Sequence, residues 1–208
     1  MNGAPPSAEA AARVVVLATG NAGKAREIRA LLGAAWEVLL QSDLGVPAIA
    51  ETGTSFAENA VLKARHAAVA TGRPAIGDDS GLEVDALGGA PGIFSARYAG
   101  PQASDADNVA RLLEELAGVP AVRRGARFRC VLAYLRGPDD AAPVITEGVW
   151  EGRIAAAPRG REGFGYDPVF EDPALGRTAA ELDSAIKNER SHRGQALRRL
   201  AATLAGRG

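Results

Sequence analysis

The run Val14-Val15-Val16-Leu17-Ala18, followed at once by Thr19-Gly20-Asn21-Ala22-Gly23-Lys24, decides the fold of this chain. A short segment with no polar residue is the signature of a strand buried on both faces, as in a parallel or mixed sheet covered by helices. Beyond the glycine turn, Ala25, Ile28, Leu32 and Ala35 recur at helical spacing, so strand, loop and helix follow in order. Gly33 and Trp36 mark the exit into a second strand over residues 38–40.

Downstream, Ser55 and Glu58 have the spacing of a capping box, which predicts a second helix with Phe56, Ala60, Ala64 and Ala67 as its apolar stripe, closed by Gly72 and Pro74. Residues 75–78 read as a short strand ending in the pair Asp78-Asp79, and residues 82–87 as a further strand-like stretch before the loop Gly88-Gly89-Ala90-Pro91-Gly92. A third helix begins near Ser104, packs Val109, Leu112, Leu113 and Leu116, and stops at Gly118 and Pro120. Residues 127–135 and 144–154 look like two longer strands around the polar turn Gly137-Pro138-Asp139-Asp140. Thr178 and Glu181 again have capping-box spacing, so a helix is expected after them, and Ala196, Leu197, Leu200 and Leu204 trace the last one. Interleaved strands and helices without an internal repeat predict an α/β fold, with a mixed central β-sheet flanked by helices and arranged in two lobes. The Ala-, Pro- and Ser-rich residues 1–12 read as a disordered tail and residues 13–208 as a single domain.

Lys plus Arg number 24 against 25 Asp plus Glu, a formal net charge of -1, so nucleic acid and anionic membrane are not expected partners and any anion site is local. Hydrophobic residues at 47% and charged residues at 24% match a chain that packs a core rather than one that stays disordered. One cysteine, Cys130, excludes an intrachain disulfide, and with the two histidines, His66 and His192, it falls short of the usual four-ligand structural zinc site. Cys130 alternates with Phe128, Leu132 and Tyr134, so it reads as core, and His66 beside Ala64 and Ala67 reads as structural or surface. No apolar run approaches the roughly 20 residues that span a bilayer, and the start lacks a secretory signal; the expected location is the cytoplasm.

Lys24 stands where backbone N–H groups and a helix N-terminus favour an anion. The loop is not a Walker A motif, because Ala18 and Ala25 occupy the places of its first glycine and its hydroxyl residue. A phosphate site and a plain connection with an exposed lysine both remain open on the loop alone. Asp78, Asp79 and Ser80 follow a short strand and precede Gly81, placing two carboxylates and a hydroxyl where open α/β sheets present ligands. That outlines a hard-cation site, to which Glu51 adds a carboxylate, and it equally fits a turn with solvated acids. Gly163-Phe164-Gly165-Tyr166-Asp167-Pro168 offers either an aromatic face for a nucleobase or a loop anchored by core aromatics. Lys187, His192 and Arg193 lie in a polar stretch that is either a solvated helix face or a set of directional donors to a base carbonyl.

Taken in order, these motifs resemble the inosine triphosphate pyrophosphatase family, also called dITP/XTP pyrophosphatases. The resemblance runs through Leu17 to Lys24, Glu51-Thr52-Gly53 with Phe56, Glu58, Asn59 and Lys63, then Asp78-Asp79-Ser80-Gly81-Leu82, the glycine loop at residues 88–92, Phe164-Gly165-Tyr166-Asp167 and Ser191-His192-Arg193-Gly194. Two departures stand out: Ile186 where the family often has an acidic residue before the lysine that matches Lys187, and a tail with no counterpart. The resemblance implies a nucleotide cleft between the lobes and hydrolysis of ITP, dITP and XTP to the monophosphate and pyrophosphate, cleansing the nucleotide pool. It also implies Mg²⁺ as cofactor and a homodimer. It places Thr19, Gly20, Asn21, Ala22, Gly23, Lys24 and Lys63 on phosphates, Glu51 and Asp79 on the metal, and Asp79 as the base for the attacking water, with Asp78 as helper. Phe164 would stack on the purine, Ser80 would touch substrate, and Gly165, Tyr166, Asp167, Lys187, His192 and Arg193 would shape the nucleotide pocket. A nucleotide sensor that does not cleave, and a nucleic-acid module disfavoured by the charge balance, are the alternatives from other classes.

Overall fold

A computed structural model describes residues 12–206, so the predicted tail at residues 1–12 lies, but for its last residue, outside the described residues. The first strand, β1 (Arg13–Ala18), is followed by α1 (Ala22–Leu32) and β2 (Trp36–Leu40). Next come α2 (Phe56–Thr71) and β3 (Ala75–Val84), then α3 (Asp105–Glu115). The long hairpin β4 (Gly125–Leu135) and β5 (Val144–Ile154) leads to the short strands β6 (Phe170–Asp172) and β7 (Arg177–Thr178). Two helices close the described chain, α4 (Ser184–Arg190) and α5 (His192–Ala205).

The seven strands form one mixed sheet in the order β2-β1-β3-β4-β5-β6-β7. Only β1 is parallel to its neighbours, β2 and β3, and every later pairing is antiparallel. β1 is buried on both faces because helices cover both: Val15 and Leu17 pack with Ile28, Leu197 and Leu200 of α1 and α5, while Val16 and Ala18 pack with Ala60, Ala64 and Ala67 of α2. A third apolar cluster joins Leu82, Val84, Phe128, Trp150 and Phe170 to Val109 and Leu112 of α3 and to Leu116, which caps its end. Cys130 is buried in the α1/α5 cluster, as its alternation predicts.

Glycines let the helices approach the sheet this closely. A Cβ on Gly77 would strike the Ala60 carbonyl and come within 2.8 Å of Ala64 N, and one on Gly148 would strike the His192 carbonyl and come within 2.7 Å of Ala196 N. The second contact fixes the first turn of α5 against β5.

Several elements differ from the sequence reading. The first helix starts at Ala22, earlier than its apolar stripe, because the Asn21 side chain caps it, and Gly33–Ala35 forms a tight 3₁₀ turn instead of a last helical turn. Ser55 caps α2 by accepting from Glu58 N, but the Glu58 carboxylate turns to Thr54, accepting from its N–H at 2.6 Å and its hydroxyl at 2.9 Å. The Thr178/Glu181 capping box is present, yet it opens only the 3₁₀ turn Ala179–Glu181. Most consequential, the two short strands expected around Asp78-Asp79 are one continuous β3, ending at a 3₁₀ turn over Asp85–Leu87. The carboxylates sit in mid-strand, Asp78 opposite Leu132 and Asp79 opposite Val131, because the antiparallel ladder to β4 runs unbroken along the strand.

Candidate active site

The pairing of β3 explains where the site opens. Its ladder to β1 covers only Ala75, Ile76 and Gly77, while its ladder to β4 continues to Val84. From Asp78 onward the edge facing β1 is therefore free of that parallel ladder, and the turn at residues 19–21 leaves β1 at the same level. It is the carboxyl end of β1, not of β3, that opens the sheet, at the kind of position where open α/β sheets take ligands.

Side chains alternate across a strand, so Asp78 and Ser80 face one side and Asp79 the other. On the first side, Lys24 Nζ lies 2.6 Å from Asp78 Oδ1 and Arg193 Nε 2.9 Å from Asp78 Oδ2. Arg193 also donates to Ser80 Oγ at 2.9 Å and pairs with Glu27, whose other oxygen is 2.8 Å from Lys187 Nζ. Lys187 Nζ reaches Asp167 Oδ2 at 2.6 Å. Burial alone would push the Asp78 carboxyl up, but Lys24 and Arg193 outweigh it and hold the group well below the usual carboxylate range. Glu27 is likewise held down by Arg193 and Lys187 against its burial.

On the opposite side, Lys63 Nζ bridges Glu51 Oε1 at 2.9 Å and Asp79 Oδ1 at 2.7 Å. Asn59 Nδ2 donates to Asp79 Oδ2 at 3.3 Å, and Arg97 Nη1 lies 2.8 Å from Glu51 Oε2. Asn59 and Lys63 stand four residues apart on α2, which puts both on the face that meets β3. The two carboxylates diverge in acidity. Burial pushes Asp79 up and wins over Lys63, whereas Arg97 and Lys63 overcome burial and hold Glu51 down. The charge of Lys24, after that of Lys63, also acts to lower the Asp79 pKa.

Asn21, Lys24, Ser80, Phe164, Gly165, Tyr166, Asp167, Lys187, His192 and Arg193 line one cleft on the first side. Thr19, Gly20, Ala22 and Gly23 form the turn and the first turn of α1 beside it, with Thr19 Oγ1 accepting from Asn21 N at 3.1 Å and Asn21 Oδ1 from Lys24 N at 3.0 Å. The Phe164 ring lies so close over Gly23 that a Cβ there would meet its Cδ1 at 2.5 Å. Lys187 Nζ and Arg193 Cζ sit 5.1 and 5.7 Å from the ring centroid. Tyr166 turns inward, its hydroxyl donating to Ser95 O at 2.8 Å, and burial pushes its phenol well up.

The polar stretch around His192 and Arg193 is thus no solvated face. Arg193 is 2% exposed, and His192 is buried with its ring stacked 4.8 Å from Phe128 at 16°. Burial, helped by the charge of Arg193, keeps the imidazole well below its usual pKa and therefore neutral. His192 Nδ1 is the one buried side-chain nitrogen or oxygen without a hydrogen-bond partner among the described residues. Glu27 and Arg97 were not legible as site residues, and Asn59 was named among the motif residues without a role. Glu27, one helical turn after Lys24, had spacing that could have found it; Arg97 had none.

Fold and site together define an α/β protein whose mixed sheet opens at its parallel end into a cleft with cations and carboxylates on both sides of one strand. The chain belongs to the Ham1 family, whose model matches residues 15–203. It is 61% identical over 194 residues to the dITP/XTP pyrophosphatase of Thioalkalivibrio sulfidiphilus, covering 93% of this chain and 99% of that one. It is 59% identical over 197 residues to the dITP/XTP pyrophosphatase of Halorhodospira halophila, covering 92% and 99%. Among solved structures, the HAM1 protein from Coxiella burnetii superposes with a TM-score of 0.85 at 50% identity, covering 93% of this chain and 99% of that one.

Proposed function

We propose that the chain is a dITP/XTP pyrophosphatase, also taking ITP, that hydrolyses the triphosphate between its α and β phosphates to the nucleoside monophosphate and pyrophosphate. The observation that carries this is the placement of Lys24 on one side of β3 and of Glu51, Lys63 and Asp79 on the other, beside the edge of β3 that β1 leaves unpaired. A polyphosphate needs its charge neutralised at several oxygens, and this constellation supplies cations for it. Lys24, Lys63 and the turn from Thr19 to Gly23 bind the phosphates. Asp79 takes the proton of the attacking water as the new oxygen–phosphorus bond forms and the bridging bond to the β phosphate breaks. Its burial-raised basicity suits that task better than that of Asp78, whose oxygens are taken up by Lys24 and Arg193. Asp78 is therefore a holder of those cations rather than a second base.

The donor set fits Mg²⁺. Both Glu51 and Asp79 bring an oxygen to one cationic centre, the Lys63 ammonium, and Mg²⁺ is held by one or two carboxylates plus substrate phosphate oxygens. Among the described residues no group of three His, Cys, Asp or Glu comes together as a metal cage. When bound, the ion would supply charge stabilisation at the phosphates. Phe164 provides the stacking face for the purine within a cleft between two lobes, and Gly165, Tyr166 and Asp167 shape it. Arg193 and Lys187 already donate to carboxylates, and His192 lines the same cleft as the third candidate for contact with the base. The active species is a homodimer built on one domain over residues 13–208, working in the cytoplasm. Among the described residues no helix is long and apolar enough to cross a membrane.

A panel of ITP, dITP, XTP, GTP and ATP with Mg²⁺, scored for pyrophosphate against orthophosphate, tests the proposal. ITP, dITP and XTP, each with a carbonyl at purine position 6, are expected to be cleaved well above ATP, whose amino group sets a donor where an acceptor belongs. Pyrophosphate is the expected product, with activity lost on chelation and restored by Mg²⁺ without zinc. Binding without cleavage would make the chain a sensor, and ATP cleaved as fast as ITP would remove the base assignment.

A further inference from the structure

We propose that Asp105 is a positioning residue that ties α3 to the aromatic loop and sets the Phe164 ring at the mouth of the cleft, an inference that rests on the nucleotide reading above.

Asp105 is the first residue of α3, but its side chain is not needed to cap the helix. Ser104 Oγ accepts from Asp107 N at 3.2 Å, and Asp107 Oδ2 accepts from Ser104 N at 2.9 Å and from Ser104 Oγ at 2.6 Å, so the capping box is complete without it. The Asp105 carboxylate reaches across the cleft instead, where Oδ2 accepts from Gly165 N at 2.7 Å. A carboxylate acceptor makes this stronger than a neutral hydrogen bond of the same length.

The neighbouring peptide is held from the other side. Phe164 N donates to Asp167 Oδ2 at 2.8 Å, and Asp167 is itself fixed by Lys187 at 2.6 Å. Gly165 adopts a φ of 60°, which directs successive N–H groups toward different walls of the cleft. Two adjacent amides on either side of the Phe164 side chain are thus clamped by two carboxylates, one belonging to the α4 side and one to α3. With only Asp167 in place, the peptide after Phe164 can rotate and carry the ring off Gly23. The base would then have to order the ring as it binds, weakening affinity without touching Asp79 or Lys63.

The test compares Asp105→Ala and Asp105→Asn in the wild-type and Phe164→Leu backgrounds, using dIMP binding by calorimetry and steady-state hydrolysis of dITP. Asp105→Ala is expected to weaken dIMP binding and raise KM by about fivefold with kcat within about twofold, the size of one lost hydrogen bond. Asp105→Asn, which keeps an acceptor oxygen, should stay within about twofold of wild type. In the Phe164→Leu background the Asp105→Ala change should have no further effect. Unchanged dIMP affinity in Asp105→Ala, an equal loss in the Phe164→Leu background, or a fall in kcat alone would overturn the role. Failure of the wild type to hydrolyse dITP, with the dIMP pattern intact, would instead remove the reaction and leave the positioning role standing.

Discussion

Asp78 and Asp79 are adjacent in sequence and opposite in surroundings, since pleating sends one toward Lys24 and Arg193 and the other toward Lys63 and Asn59. Asp79→Asn should therefore keep the fold and lose about 10²-fold or more in turnover, because the near-isosteric amide removes the proposed base for the water and a carboxylate of the proposed metal pair. Steady-state rates on dITP with Mg²⁺, alongside a thermal melt, check this; near-wild-type turnover would exclude Asp79 as the base. Truncating Arg193 is a poorer probe of base reading, since it removes one of the two cations that hold each of the buried Asp78 and Glu27, leaving Lys24 and Lys187 alone with them. The acid pair itself was legible in the sequence as a site. Its division between two faces was not, because that depends on β3 running straight through it.

At the scale of elements, α5 owes its seat to Gly148 of β5, where a Cβ would strike the His192 carbonyl. Gly148→Val is expected to displace the first turn of α5, destabilise the protein by about 1–3 kcal/mol through overpacking, and weaken nucleotide binding by moving His192 and Arg193. Urea unfolding and KM for dITP measure the two effects. Loss of stability with an unaltered KM would show that the site tolerates movement of α5. The strand–turn–helix at β1 and α1 was legible because a fully apolar run and a capped turn are local signals. The length of β3 was not, since Asp78, Asp79 and Ser80 look like a strand end and only the ladder to β4 carries the strand through them.

For the whole molecule, the buried neutral His192 links stability to pH. Its folded pKa lies well below the reference value of 6.5, so the unfolded chain takes up a proton below about pH 6.5 while the folded protein does not. Its stabilising contribution is complete above that pH and is lost as pH falls, at up to about 1.4 kcal/mol per pH unit. Asp79 and Asp167, raised from 3.8 by burial, act in the opposite sense above that value, while Asp78 and Glu27, held down by their cations, matter only in more acid solution. Comparison with a variant isolates the histidine. Between pH 5 and 6 the unfolding free energy of the wild type should fall more steeply than that of His192→Gln, and parallel slopes would show that the imidazole is protonated in the folded state.

The sequence by itself determined the class of fold, the burial of β1, the site motifs and the family resemblance, because apolar periodicity, caps and short motifs are written within a few residues of one another. Only the tertiary structure decided which groups meet. Lys187 and Glu27 stand 160 residues apart and Arg193 and Asp78 115 apart, and their ion pairs follow from α1, α5 and β3 sharing one core with α4 packed on α5. The same packing turned a polar, seemingly solvated stretch into the buried floor of the cleft. Burial and partner choice arise from how elements stack, and no local spacing encodes them.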